Sequence, residues 1–266
     1  MEITFTLIIL LVIFGFISGL ISIIAGVGGG VFFVSILTLL FLIPIDIAVD
    51  TSTFVILLSS LAGFIAYLKQ KRTNLKLSLI FTLFSLLGSI IASILFSFIK
   101  IENIILKIIF AFTLLTAGVN MIYKAIKSKK GEDINKKVSD NFSLETHDYK
   151  TNLKKTIPLF MMAGFVANFL GIGGGIINTP ALNILLHFPI HNSTAISTSI
   201  IFFTAIYNTI IKLISGHIDI ILGVILAIGS IIGAILGARL SKRMPKVLLQ
   251  FFVASVLILL AVRMFF

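Results

Sequence analysis

"GVGGGVFF", residues 26–33, places four glycines inside some of the oiliest sequence of the chain. Glycine costs a helix about 1 kcal/mol relative to alanine, so such a run marks a deliberate interruption. The string returns as "GIGGGIIN" at residues 171–178. Around both runs the chain is 58% hydrophobic and 12% charged, about half the charge of a soluble domain. Apolar stretches cover residues 3–25, 78–99, 104–123, 218–238 and 247–266. Each approaches the ~20 residues a helix needs to cross a bilayer. They are continuously apolar rather than alternating, which selects helices over barrel strands. The chain therefore reads as an all-α polytopic membrane protein. The first stretch has no basic residue before it and no small-residue cleavage pattern after it, so it is expected to be kept as a helix rather than removed as a signal peptide.

The net charge of +11 does not point to nucleic acid. Seventeen of the 21 Lys and Arg fall at residues 69–76, 124–155 and 239–246, between apolar stretches. That is the pattern of cytoplasmic loops. The chain has no cysteine and four histidines, a poor basis for a metal centre. No hydrolase triad, phosphate-binding P-loop or nucleotide domain is visible. The expectation is a protein that is not an enzyme, needs no cofactor, and moves solute down an ion or substrate gradient across the cell membrane.

A shift of 145 residues lays Gly19, Gly26, Gly28, Gly29, Gly30 and Pro44 on Gly164, Gly171, Gly173, Gly174, Gly175 and Pro189. With a two-residue insertion, "AVDTS" (48–52) falls on "AISTS" (195–199), and "LLGSIIASIL" (86–95) matches "AIGSIIGAIL" (227–236) at a shift of 141. The chain is a doubled unit: a first membrane repeat at 1–126, a charged cytoplasmic linker at 127–155, and a second repeat at 156–266. Each half offers five apolar segments. With an odd number of crossings, all three basic clusters fall on one side of the membrane and the halves start on opposite sides. That predicts inverted-topology repeats, an architecture of many secondary transporters.

Residues 31–43 and 176–188 are too short to span: 13 residues make about 20 Å of helix against a core of about 30 Å. Each Gly-x-Gly-Gly-Gly run is thus expected to join short or broken helices, as a re-entrant hairpin or a helix interrupted near mid-membrane. A helix starting after such a run offers free amides and the positive end of its dipole, a setting that suits an anion. Thr179-Pro180 reads as an N-cap and first helical residue. Hydroxyls at Thr51, Ser52, Thr198 and Ser199 and the amides of Asn168 and Asn178 are candidates to complete the site. Ordinary capping and interhelical bonding would use them equally well. Asp50 is a candidate for ion coupling, since acids within membrane segments are functional by default. Lys212 is expected to snorkel.

A duplicated apolar unit, each half with Gly-x-Gly-Gly-Gly, a short helix, a proline and Ala-x-x-Thr-Ser, resembles the TauE/SafE family of sulfite exporter-like anion permeases. The resemblance covers nearly the whole chain outside the linker. It implies a carrier of a small sulfur oxyanion or organosulfonate, with a carboxylate carrier or a passive anion channel as alternatives. It carries over Gly26, Gly28, Gly29, Gly30, Thr51 and Ser52, then Gly171, Gly173, Gly174, Gly175, Thr198 and Ser199, as residues at the substrate. It does not reach Asp50. The implied partners are a small anion and the lipid bilayer.

Overall fold

A computed structural model describes residues 5–99, 101–129, 152–241 and 246–265. The described residues form ten helical elements. These are α1 (Phe5–Ala25), α2 (Gly30–Leu39), α3 (Ile45–Lys69), α4 (Leu75–Phe98), α5 (Asn103–Lys129), α6 (Leu153–Leu170), α7 (Gly175–Pro180, widened to a π turn over Ala181–Leu185), α8 (Ile190–Ser215), α9 (Ile220–Leu240) and α10 (Lys246–Phe265). Seven are long and apolar enough to cross a membrane, by length and composition. Helix α5 runs through Lys129 and α6 begins at Leu153, within the bounds 127–155 expected for the linker. Its middle lies outside the described residues.

Side chains are sorted for an oily surrounding. Leu83, Leu87, Ile94, Phe112, Ile228 and Ile232 point outward and are exposed, while Ser52, Ser59, Ser78, Ser85, Ser197 and Ser230 are buried. Water would drive the opposite distribution. In lipid, helix association relies on close packing and interhelical hydrogen bonds.

Helix directions follow from which residues touch. A Cβ built on Gly15 would meet Leu226, on Gly19 it would meet Ser230, and on Gly237 Leu20, so α1 and α9 run parallel. Gly164 abuts Ser85 and Asn168 bonds to Ser93, so α4 and α6 also run parallel. Between α3 and α8 the numbers run oppositely: Thr209 donates to the Thr53 carbonyl, while Phe64 stacks on Phe202. Gly223 lies against Phe54 and Gln70 donates to the Ala238 carbonyl, which makes α3 and α9 parallel. Helices α1, α3 and α9 therefore point one way and α4, α6 and α8 the other. Helix α2 brings the chain back between α1 and α3, and α7 does so between α6 and α8.

The two halves correspond at one constant offset. The ten described residues with positive φ form five pairs 145 apart: Gly26/Gly171, Gly28/Gly173, Gly29/Gly174, Leu42/His187 and Lys71/Gly216. Close approaches obey the same offset, with Gly19 on Ser230 repeated as Gly164 on Ser85, and Gly88 on Met161 repeated as Gly233 on Phe16. Both local shifts read from the sequence need correction. Gly88 corresponds to Gly233 rather than Gly229, one helical turn away, and Ser52 corresponds to Ser197 with no insertion. Corresponding helices of the two halves run in opposite directions.

The glycine contacts predict a sharp position dependence. Gly164→Val drives a side chain into the Ser85 carbonyl of α4 and should lower stability by about 3 kcal/mol. Gly216→Asn, at φ +77 with nothing within 4 Å of its Cβ position, should stay within about 1 kcal/mol because asparagine tolerates that conformation. Thermal unfolding in detergent, read by size-exclusion chromatography, checks the pair.

Candidate functional site

The two glycine runs cross at the centre. A Cβ on Gly28 would lie 3.3 Å from the Gly173 Cα, and a Cβ on Gly173 would lie 3.3 Å from the Gly28 Cα. On either side, Gly30 abuts the Gly171 carbonyl and Gly175 abuts the Gly26 carbonyl. The left-handed φ values of +100° at Gly28 and +87° at Gly173 turn each chain from one helix into the next. A side chain at either would meet both strain and backbone.

Gly29 and Gly174 are the N-caps of α2 and α7. Thr179-Pro180 is therefore not a cap. It lies inside α7, where Pro180 withholds an amide and the next turn widens to π. In α2 the first amides to reach a backbone carbonyl are those of Phe32 and Phe33, on Gly29; in α7 they are those of Ile177 and Asn178, on Gly174. The preceding amides, Gly28 to Val31 and Gly173 to Ile176, lie ahead of the helical ladder. Two short helices thus start beside each other from glycine-walled turns, with positive dipole ends at the crossing.

The hydroxyls divide. Ser52 Oγ donates to the Gly171 carbonyl at 3.0 Å, and its counterpart Ser197 Oγ donates to the Gly26 carbonyl at 3.2 Å. Thr179 Oγ1 also donates to Gly26, at 2.7 Å. These side chains satisfy carbonyls of each run. The amides of Gly26 and Val27 bond back to Ser22 and that of Gly171 to Ala167, while among the described residues the amides of Gly28 to Val31 and Gly173 to Ile176 are left outside the ladder. Other expected site residues are used elsewhere. Thr51 Oγ1 accepts from the Asp219 amide at 3.0 Å, and Thr198 Oγ1 donates back to the Thr194 carbonyl. Ser199 Oγ donates to Ala195 and shares a hydrogen bond of 2.9 Å with Thr73. Asn168 donates to Ser93 and, at 3.0 Å, to Asn208 Oδ1. Asn178 is buried beside the second run with its Oδ1 unpartnered among the described residues.

A cavity of about 10 Å³ opens against the crossing, lined by Thr53, Ile56, Ala167, Gly173, Ile201, Thr204, Ala205 and Asn208. That is room for about one water. Thr53 directly follows Ser52 in the hydroxyl string at the start of α3. Sequence reasoning missed Thr204 and Asn208, which lie on α8 one or more turns beyond Ser199.

Asp50 is not isolated. Lys212 Nζ lies 2.8 Å from its carboxylate, and His217 Nδ1 lies 3.7 Å away. Lys212, at 7% exposure, does not reach out to the membrane surface as snorkelling requires. A partly buried carboxylate on α3 holds it. Removing one partner strands a charge. Lys212→Met should therefore destabilise by about 3 kcal/mol, and Asp50→Asn in the same chain should recover most of it; thermal unfolding of the double-mutant cycle measures the coupling.

Similar proteins are membrane transporters. The profile of the family described as Sulfite exporter TauE/SafE matches residues 11–264. Probable membrane transporter protein YunE of Bacillus subtilis is 28% identical over 224 residues, 79% of this chain and 80% of that protein. A probable membrane transporter protein of Methanocaldococcus jannaschii is 33% identical over 203 residues, 74% of this chain and 69% of its own. No solved structure matches.

Proposed function

Because the chain belongs to the sulfite exporter TauE/SafE family of membrane transporters, we propose that it is a secondary carrier of a small oxyanion, sulfite-like in charge and size, bound between the two glycine runs. The crossing of Gly28 and Gly173 carries this reading. It sets two groups of amides and two dipole ends beside a small, mostly apolar cavity whose polar lining residues are Thr53, Thr204 and Asn208. Amides and hydroxyls recognise an oxyanion without placing a full charge in lipid. Gly26, Gly29, Gly30, Gly171, Gly174 and Gly175 shape the two turns, Ser52 and Ser197 hold their carbonyls, and Asn168 and Asn178 flank the second.

A gap sized for one water cannot hold sulfite. The proposed cycle therefore parts the runs toward one side and then the other. The opposed halves act as inverted-topology repeats, with the basic ends of α3, α5 and α9 and the start of α6 facing the cytoplasm. In this scheme Asp50, paired with Lys212, is the group that couples an ion.

Two experiments test the proposal. Flux of radiolabelled sulfite into proteoliposomes should saturate, and Asn208→Leu should cut it at least tenfold while the protein remains monodisperse. Absence of flux for sulfite, small sulfonates and small carboxylates in both directions overturns the proposal. For orientation, the cysteine-free chain permits single-cysteine labelling. Lys71→Cys and Lys154→Cys should react with an impermeant maleimide only from the cytoplasmic face, and His217→Cys only from the other.

A further inference from the structure

Two buried cations stand near the ends of α3 and α8, the third helix of each half, and at the 145-residue offset neither falls on the other. Tyr67, in the last turn of α3, and Arg72, just beyond that helix, map onto Lys212 and His217 around the end of α8. Since α3 and α8 are antiparallel, the two sets close opposite ends of the molecule. Arg72 and Lys212 are each 7% exposed.

Their surroundings differ in one respect. Lys212 faces the carboxylate of Asp50 at 2.8 Å. Arg72 is held by neutral groups: its guanidinium donates to Ser241 Oγ at 2.8 Å, to Gln70 Oε1 at 3.4 Å and to the His191 carbonyl at 3.0 Å, and lies 5.0 Å from the centre of the Tyr67 ring. Among the described residues Arg72 has no ion pair. Helix directions explain why. Asp46 and Asp50 stand at the start of α3, Glu102 just before α5 and Asp219 just before α9, so every described carboxylate lies at the Lys212 end. Lys69, Lys71, Lys76, Lys154, Lys155 and Arg239 lie at the other. Burial pushes the Arg72 guanidinium below its ordinary value, the sign of a cation short of compensation. Arginine's planar fork suits an oxyanion in two-point contact.

We propose that Arg72 and Lys212 are the two terminal stations of the anion's path, one at each mouth, and that Asp50 fills the Lys212 station as a tethered stand-in for the substrate. The inference rests on the anion reading above and deepens it by naming the groups that receive the charge at either side. An anion arriving at Lys212 displaces Asp50, while one arriving at Arg72 compensates a cation that the fold leaves alone. Each mouth thus presents a buried positive charge near the end of the third helix of its half, Arg72 at the place that His217 takes in the other half and Lys212 at that of Tyr67.

Sulfite uptake measured separately in right-side-out and inside-out vesicles tests this. Arg72→Gln should raise KM at least tenfold for flux started from the Arg72 side and leave KM from the Lys212 side within twofold. Arg72→Lys, which keeps the charge and loses the fork, should give a rise of about threefold. Asp50→Asn removes the competitor and should lower KM from the Lys212 side at least fivefold. Wild-type protein that carries no anion overturns the carrier reading itself. Wild-type flux with an unchanged KM in Arg72→Lys and Asp50→Asn overturns the stations alone, and this holds even if Arg72→Gln fails to fold. A fall in maximal rate with KM constant from both sides assigns Arg72 a structural role and also overturns the proposal.

Discussion

Two backbones pass within touching distance at Gly28 and Gly173, and the rest of the architecture is arranged around that contact. Irregular chain at membrane depth must be buried in protein or line a cavity. Here each run shields the other: the Gly26 and Gly171 carbonyls face glycines of the opposite half and accept from Thr179, Ser197 and Ser52. Such an approach tolerates no Cβ, and it fixes where α2 and α7 begin. It also fixes which helices can flank them. Helices α3 and α8 lie against the crossing, and their buried Ser52, Ser197 and Thr209 tie it and each other together by hydrogen bonds.

Much of this was legible in the sequence. Hydropathy located all ten elements, because a helix in lipid must be apolar along its length. The glycine runs marked the crossing, since no other residue adopts three positive φ angles in five positions cheaply. The register of the repeat beyond Pro44 was not legible, for a physical reason. Small residues recur every four positions along α9, at Gly229, Gly233 and Gly237, and all three pack on α1. A match of Gly88 to Gly229 is therefore chemically as good as the true match to Gly233. Alternating Thr-Ser strings created the same ambiguity at Ser52 and Ser197, and only their hydrogen bonds to the glycine carbonyls resolve it.

Ion pairs between the halves were equally hidden. Asp50 and Lys212 each look like a lone charge near the end of an apolar segment. Their pairing requires that α3 and α8 be antiparallel neighbours, a tertiary fact that no local pattern encodes. Thr204 and Asn208 were missed because hydroxyls and amides inside a helix can serve their own backbone, as Thr53 and Thr198 do by bonding back to their own turns. Thr204 and Asn208 instead bond across to α4 and α6, which only the tertiary fold shows.

The twin halves are alike in backbone and unlike in side chains beside the crossing. Asn168 and Asn208 hydrogen-bond across the cavity side of the crossing. At the corresponding positions, 145 residues earlier, stand Ile23 and Gly63, and the isoleucine packs directly on the glycine. One side of the pseudo-symmetric centre thus carries a pair of amides beside a small hollow, and on the other an isoleucine packs on a glycine. In the proposed cycle the two halves exchange conformations, which a shared backbone makes nearly equal in energy. The side chains then break the tie. Opening on the Asn168–Asn208 side exposes amides that can be solvated, whereas opening on the Ile23–Gly63 side wets an apolar contact at roughly 25 cal/mol per Å². A bound anion, by drawing both sets of glycine amides toward itself, offsets that penalty only when it is present. The asymmetry would then make movement of the protein depend on carrying its substrate.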